Sequence, residues 1–212
     1  MIYTSITPEA FLENNISNDI HQMNEHIRSL LINAPPSHEI PFDVLQDIRR
    51  KGGGLLAFQA NSDRAVNKTV EYDNRKVMIR IFNQNNPKFI YLHIHGGGHC
   101  IGAADMQDQS LEKISKDLNC VVVSVEYRLA PNNPYPAAPD DCETAALWLI
   151  ENSENEFNSG KIIIGGESAG ANLSAVILLR LKERQLLDKI KGVNLVYGSY
   201  DARLTPSAVR QK

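Results

Sequence analysis

The chain has 212 residues, 42% hydrophobic and 22% charged, with 22 basic against 25 acidic side chains and a formal net charge of −3. That length and balance suit a soluble globular domain that buries a sizeable core without disulfide or metal support. The mild charge, without long blocks of one sign, argues against nucleic acid or a membrane surface as the main partner, and no run approaches the roughly 18 apolar residues of a spanning helix.

The N-terminal stretch Met1-Ile2-Tyr3-Thr4-Ser5-Ile6-Thr7-Pro8-Glu9 lacks the basic start and apolar centre of a secretory leader, which points to the cytoplasm. Residues 1 to about 50 contain no strand-like run; Glu9 to Leu12 and His26 to Ile32 predict helices, interrupted by Pro35-Pro36. Lys51-Gly52-Gly53-Gly54 marks a joint, so residues 1–55 read as a helical preface and 56–212 as the main body. Thr69 to Tyr72 and Lys76 to Phe82 then flank Asp73-Asn74-Arg75 as the arms of an antiparallel hairpin do. From there the chain alternates: strand 88–94, helix about 104–118, strand Cys120 to Val125, helix about 137–152, strand 161–165, helix about 168–187, and strand Val193 to Tyr197. Such alternation predicts the α/β class, a mostly parallel sheet with helices on both faces. Cys100, Cys120 and Cys142 form no C-x-x-C and support neither a disulfide framework nor a zinc site. Cys100 lies near a glycine-rich loop and reads either as a redox-sensitive thiol or as a small packing residue.

Gly166-Glu167-Ser168-Ala169-Gly170 follows the apolar run Lys161 to Gly165 and opens an apolar-periodic segment, which is the strand, sharp turn and helix of a G-x-S-x-G nucleophile elbow. Gly166 and Gly170 allow the tight reversal, and a bulky residue at either is expected to clash. His95-Gly96-Gly97-Gly98 follows the strand ending at Ile94, the place of an oxyanion loop in this class of enzyme. Its consecutive glycines let backbone N–H donors approach a tetrahedral oxyanion, each donor being worth about 3 kcal/mol of barrier. The same run also reads as an ordinary loop or, with Gly102, as an anion cradle, although no phosphate-loop lysine-serine pair follows it.

Two further segments, Val125-Glu126-Tyr127-Arg128-Leu129-Ala130-Pro131 and Tyr135-Pro136-Ala137-Ala138 with Asp140-Asp141, complete a set of four ordered elements. In these the chain, from about residue 60 onward, resembles the hormone-sensitive-lipase-like branch of the α/β-hydrolases, a group of acetyl and short-acyl carboxylesterases. The resemblance implies that Ser168 is the nucleophile, that Gly97, Gly98 and the backbone N–H of Ala169 form the oxyanion hole, and that His95 braces the loop. Gly96, Gly166, Glu167 and Gly170 complete the supporting motif. It implies a small ester as substrate and no metal or cofactor, leaves a homo-oligomer open, and makes the first 50 residues similar to a cap over the acyl pocket. Tyr127, Arg128 and Asp141 read as a hydrogen-bonded lock on their loop. His99 lines the acyl pocket or sits as a surface or packing histidine, and His93 points inward or towards a neighbouring strand.

A serine nucleophile needs a base and an acid to orient it, in this fold in the order Ser, then Asp or Glu, then His. All six histidines, His21, His26, His38, His93, His95 and His99, precede Ser168, and Asp201 comes one strand too early for the acid. The expectation is therefore an esterase cut short within a protein of about 300 residues, inactive or impaired as 212 residues. Two alternatives stand beside it: a binding or partner subunit descended from an esterase, and a non-functional remnant with an unpaired sheet edge.

Overall fold

Five consecutive residues, Ile90 to Ile94, are buried, and the sheet is built around this strand. The computed structural model describes residues 16–32, 34–52 and 60–201, together with Leu12. The chain divides into two compact units, Met1–Phe58 and Gln59–Lys212. In the first, helices α1 (Asn18–Leu31) and α2 (Phe42–Arg50) carry no buried residues and are separated by a 3-10 turn at Ser37–Glu39. The helix expected around Glu9 lies outside the described residues except for Leu12, as do Gly53 and Gly54 of the joint.

In the second unit, β1 (Ala65–Tyr72) and β2 (Arg75–Phe82) form the antiparallel hairpin, turning through Asp73 and Asn74 at φ 51° and 59°. Two residues at positive φ match the right-handed twist of the arms, and Asn and Asp tolerate that conformation. Then follow β3 (Ile90–Ile94), α3 (Asp108–Leu118), β4 (Val121–Glu126), α4 (Ala137–Phe157), β5 (Ile162–Glu167), α5 (Ala169–Glu183) and β6 (Ile190–Val196). The sheet order is β1-β2-β4-β3-β5-β6, with β3, β4, β5 and β6 mutually parallel.

Period-2 alternation sorts the side chains of these strands. Ile90, Leu92, Ile94, Val123 and Ile164 pack with Leu149 of α4 and Leu173 and Ile177 of α5. Tyr91 and Val122 turn to the opposite face, where they meet Leu111 of α3. The sheet is thus mostly parallel and covered by helices on both faces, as the alternation predicts. Buried charges are paired: Arg80 Nε donates to Asp108 Oδ1 at 2.7 Å, joining β2 to α3. Glu143 of α4 accepts from Arg75, Arg180 and Arg184 at 3.2, 3.0 and 2.9 Å, which ties the hairpin, α4 and α5 together.

Element limits differ from expectation in places with clear causes. Helix α4 continues beyond residue 152 because Ser153 and Phe157 are buried beneath the polar run between them, and it stops at Asn158 in the left-handed region, φ 55°. Strand β5 extends to Glu167 because Gly166 and Glu167 still pair with Leu195 and Val196 of β6. Among the described residues no helix is long and apolar enough to cross a membrane.

Candidate active site

Strand β5 ends at Glu167 and α5 begins at Ala169, leaving Ser168 alone in the turn with φ 54° and ψ −118°. A non-glycine residue held there costs about 1–3 kcal/mol and persists only where its surroundings enforce it. Here the Ser168 N–H donates to Val196 O at 2.9 Å, and the Ser168 carbonyl accepts from Asn172 N at 3.1 Å. The residue is exposed, so the strained turn presents its hydroxyl at the carboxyl end of the sheet.

The glycine loop runs from the end of β3. The His95 ring is stacked on Tyr127 at 4.1 Å between centroids, its Nδ1 lies 2.8 Å from Gly96 O, and the Tyr127 hydroxyl donates to His95 O at 2.8 Å. Gly97 has φ 127°, and a Cβ on it would stand 1.9 Å from Ile101 O. Its carbonyl accepts from Cys100 N and Ile101 N at 3.1 and 3.0 Å, closing the turn. Among the described residues the N–H groups of Gly97 and Gly98 donate to no protein acceptor. The N–H of Ala169, first residue of α5, is one of the four that a helix start leaves without an intrahelical partner. Ser168, Gly97, Gly98 and Ala169 therefore lie at one end of three adjacent elements, β3, β5 and α5.

Glu167 joins the two halves. Its Oε1 accepts from Gly96 N and from Gln107 Nε2, both at 2.6 Å, and its Oε2 lies 3.0 Å from His93 Nε2. His93 Nδ1 faces Ser124 Oγ at 3.2 Å, so Ser124 backs the ring on the side away from Glu167. Burial pushes the Glu167 carboxyl up, but the hydrogen bond and charge of His93, then the bonds from Gly96 and Gln107, outweigh it and hold the group at about 2. Because this lies below the ordinary 4.5, the resulting stabilisation is full above about pH 4.5 and is lost as pH falls towards 2. The shift corresponds to about 3 kcal/mol. Denaturant titrations at pH 7 and pH 3 are expected to show a smaller acid loss for Glu167→Gln than for the wild type; equal losses would mean that Glu167 does not report on folding.

Arg128 and Asp141 form the expected lock: the Arg128 backbone N–H reaches Asp141 Oδ2 at 2.8 Å and its Nη2 reaches Oδ1 at 2.9 Å. Ala130 N donates to His99 O at 2.9 Å and thereby ties the same loop to the glycine turn. Between them opens a cavity of about 350 Å³ whose walls include Gly98, His99, Cys100, Ala138, Leu173 and Val176. His99 is thus a wall residue rather than a surface one. Burial pushes the Cys120 thiol up to about 11 and Cys142 well above its ordinary range, so both are protonated packing groups.

His93 and His95 are engaged in bracing, with contacts to Ser124, Glu167, Gly96 and Tyr127. The role of Glu167 was hidden from sequence reasoning, because its partners lie 60 to 74 residues away along the chain. The inward His93 is signalled by strand alternation; Gln107 carries no signal. Among the described residues no group of three or more His, Cys, Asp or Glu is placed to hold a metal ion.

A family model described as alpha/beta hydrolase fold matches residues 91–212. An AB hydrolase superfamily protein of Schizosaccharomyces pombe is 41% identical over 172 residues, 75% of this chain and 50% of that protein. The carboxylesterase NlhH of Mycobacterium tuberculosis is 36% identical over 141 residues, 63% of this chain and 42% of its own length. Among solved structures, a fungal esterase of Rhizomucor miehei superposes with a TM-score of 0.73 at 24% identity, covering 87% of this chain and 61% of its own. At that identity the likeness speaks for the fold. The chain spans about half the length, or less, of the curated relatives it matches.

Proposed function

Because the chain belongs to the α/β-hydrolase fold family, we propose that it is the nucleophile-bearing part of a serine carboxylesterase. The observation that carries this reading is Ser168, strained and exposed at the β5–α5 turn, beside the glycine loop whose Gly97 and Gly98 N–H groups are unclaimed among the described residues. Ser168 Oγ attacks the acyl carbon of an ester, and the oxyanion accepts hydrogen bonds from Gly97, Gly98 and Ala169. The tetrahedral intermediate collapses with departure of the alcohol, leaving an acyl-enzyme that water hydrolyses to the acid and free Ser168. Removal of the Ser168 proton needs a base, and in this reading the base and its acid partner come from a portion of the protein outside these residues, since the matches cover only 50, 42 and 48% of three relatives' own lengths.

The test joins two measurements on the protein purified from its source. A fluorophosphonate is expected to label Ser168, and the intact mass is expected to exceed the 23.6 kDa of these residues. Absence of labelling at Ser168 overturns the esterase reading and favours a binding protein.

The largely apolar cavity of about 350 Å³ beside the glycine turn is where we place the acyl chain, and we take that chain to be short. Val176→Phe intrudes on that space. Each methylene a hydrophobic pocket distinguishes is worth about 10- to 200-fold, so kcat/KM for p-nitrophenyl hexanoate is expected to fall at least about tenfold relative to the acetate. An unchanged ratio would separate the cavity from the acyl chain.

A further inference from the structure

We propose that Glu167 is a positioning residue: by accepting the Gly96 N–H, it sets the orientation of the peptides that present the Gly97 and Gly98 N–H groups. The proposal rests on the reading of those glycines as oxyanion donors.

Three consecutive glycines give a loop little stiffness of its own, because each populates both signs of φ at little cost, so a fixed donor geometry needs clamps from outside. The clamps are all present on the residues just before the donors. The His95 carbonyl is held by the Tyr127 hydroxyl at 2.8 Å, and the Gly96 carbonyl lies 2.8 Å from His95 Nδ1. The Gly96 N–H is held by Glu167 Oε1 at 2.6 Å. The Gly96 carbonyl and the Gly97 N–H belong to one planar peptide, so fixing residue 96 on both sides fixes where the Gly97 N–H points.

Glu167 is itself held by two further side chains, one of them backed in turn. Gln107, just before α3, donates to Oε1, His93 on β3 meets Oε2, and Ser124 on β4 backs His93. Packing agrees with hydrogen bonding: a Cβ on Gly96 would stand 2.8 Å from Glu167 O and 3.4 Å from Glu167 Cγ, so the loop lies directly along this residue. Since Glu167 is covalently joined to Ser168, one residue references both the nucleophile and the oxyanion donors. A carboxylate serving only as partner to His93 would not need the Gly96 contact.

The experiment compares Glu167→Ala, which removes the clamp, with Glu167→Gln, whose amide oxygen still accepts from Gly96. In the active enzyme, Glu167→Ala is expected to lower kcat about 10²-fold with KM within about twofold, and Glu167→Gln to restore most of that loss. Backbone amide NMR is the second readout and needs no turnover: the Gly97 and Gly98 signals are expected to move in the alanine variant and to stay near their wild-type positions in the glutamine variant. If alanine does not fold, Glu167→Asp, too short to span Gly96 and His93 together, takes its place with the same expectation. Unmoved Gly97 and Gly98 signals in the alanine or aspartate variant overturn the proposal, as does a glutamine variant as impaired as alanine. A wild type without turnover would count against the esterase reading, while the amide signals would still decide the role of Glu167.

Discussion

Ser168→Ala is expected to abolish ester turnover and acyl-enzyme formation while leaving the fold intact. Loss of a hydrolase nucleophile costs on the order of 10⁶ in kcat, because the remaining donors and binding contacts give only about 10³–10⁴ over water. The stability effect is expected to stay within about 1 kcal/mol, because the side chain is exposed and the turn is held through its backbone, by Val196 O and by Asn172 N. This separation of activity from stability makes the variant informative. The check is hydrolysis of a p-nitrophenyl ester by purified variant and wild type, with the burst phase recorded beside a thermal melt. Retained hydrolysis in a folded variant would sink the assignment of Ser168 as nucleophile.

The elements that bring Ser168 to its place were legible in the sequence because each has a local cause. Apolar runs of five or six residues made β3, β4 and β5, and a serine between glycines made the turn. The Asp73-Asn74 turn followed from residues that tolerate positive φ. What escaped was long-range. A polar stretch such as Glu151 to Glu156 looks like the end of a helix unless the burial of Ser153 and Phe157 is known. The bonds that join Glu167 to His93, Gly96 and Gln107 depend on which strands become neighbours, and hydrophobic periodicity does not record strand order. His99 stood between wall and surface until the Ala130–His99 hydrogen bond folded the neighbouring loop over the glycine turn.

Gly166→Ala and Gly170→Ala are expected to be the most destabilising of the small substitutions in this region. A Cβ on Gly166 would lie 2.0 Å from Ile94 O, and one on Gly170 would lie 1.9 Å from the same atom and 2.8 Å from His95 O. Neither distance can be relieved by a rotamer change, because the obstructing atoms are backbone of β3 and of the residue that follows it. Strand β3 must therefore move away from β5 or from the start of α5, yet Ile94 is fully buried and β3 is paired on both sides. Strain of this kind exceeds the typical 1 kcal/mol of a point substitution, and a loss of about 3 kcal/mol or more is expected from the urea midpoint. Gly192→Ala on β6 is the control, since the nearest atom to its added Cβ is Ile163 Cγ1 at 3.6 Å, an ordinary contact. Because Ile94 leads directly into His95 and Gly96, any variant that survives is expected to displace the glycine loop and lose activity even below its melting temperature. Equal urea midpoints for Gly170→Ala and Gly192→Ala would show that β3 and α5 do not approach this closely, and the elbow would then owe its glycines to something other than space.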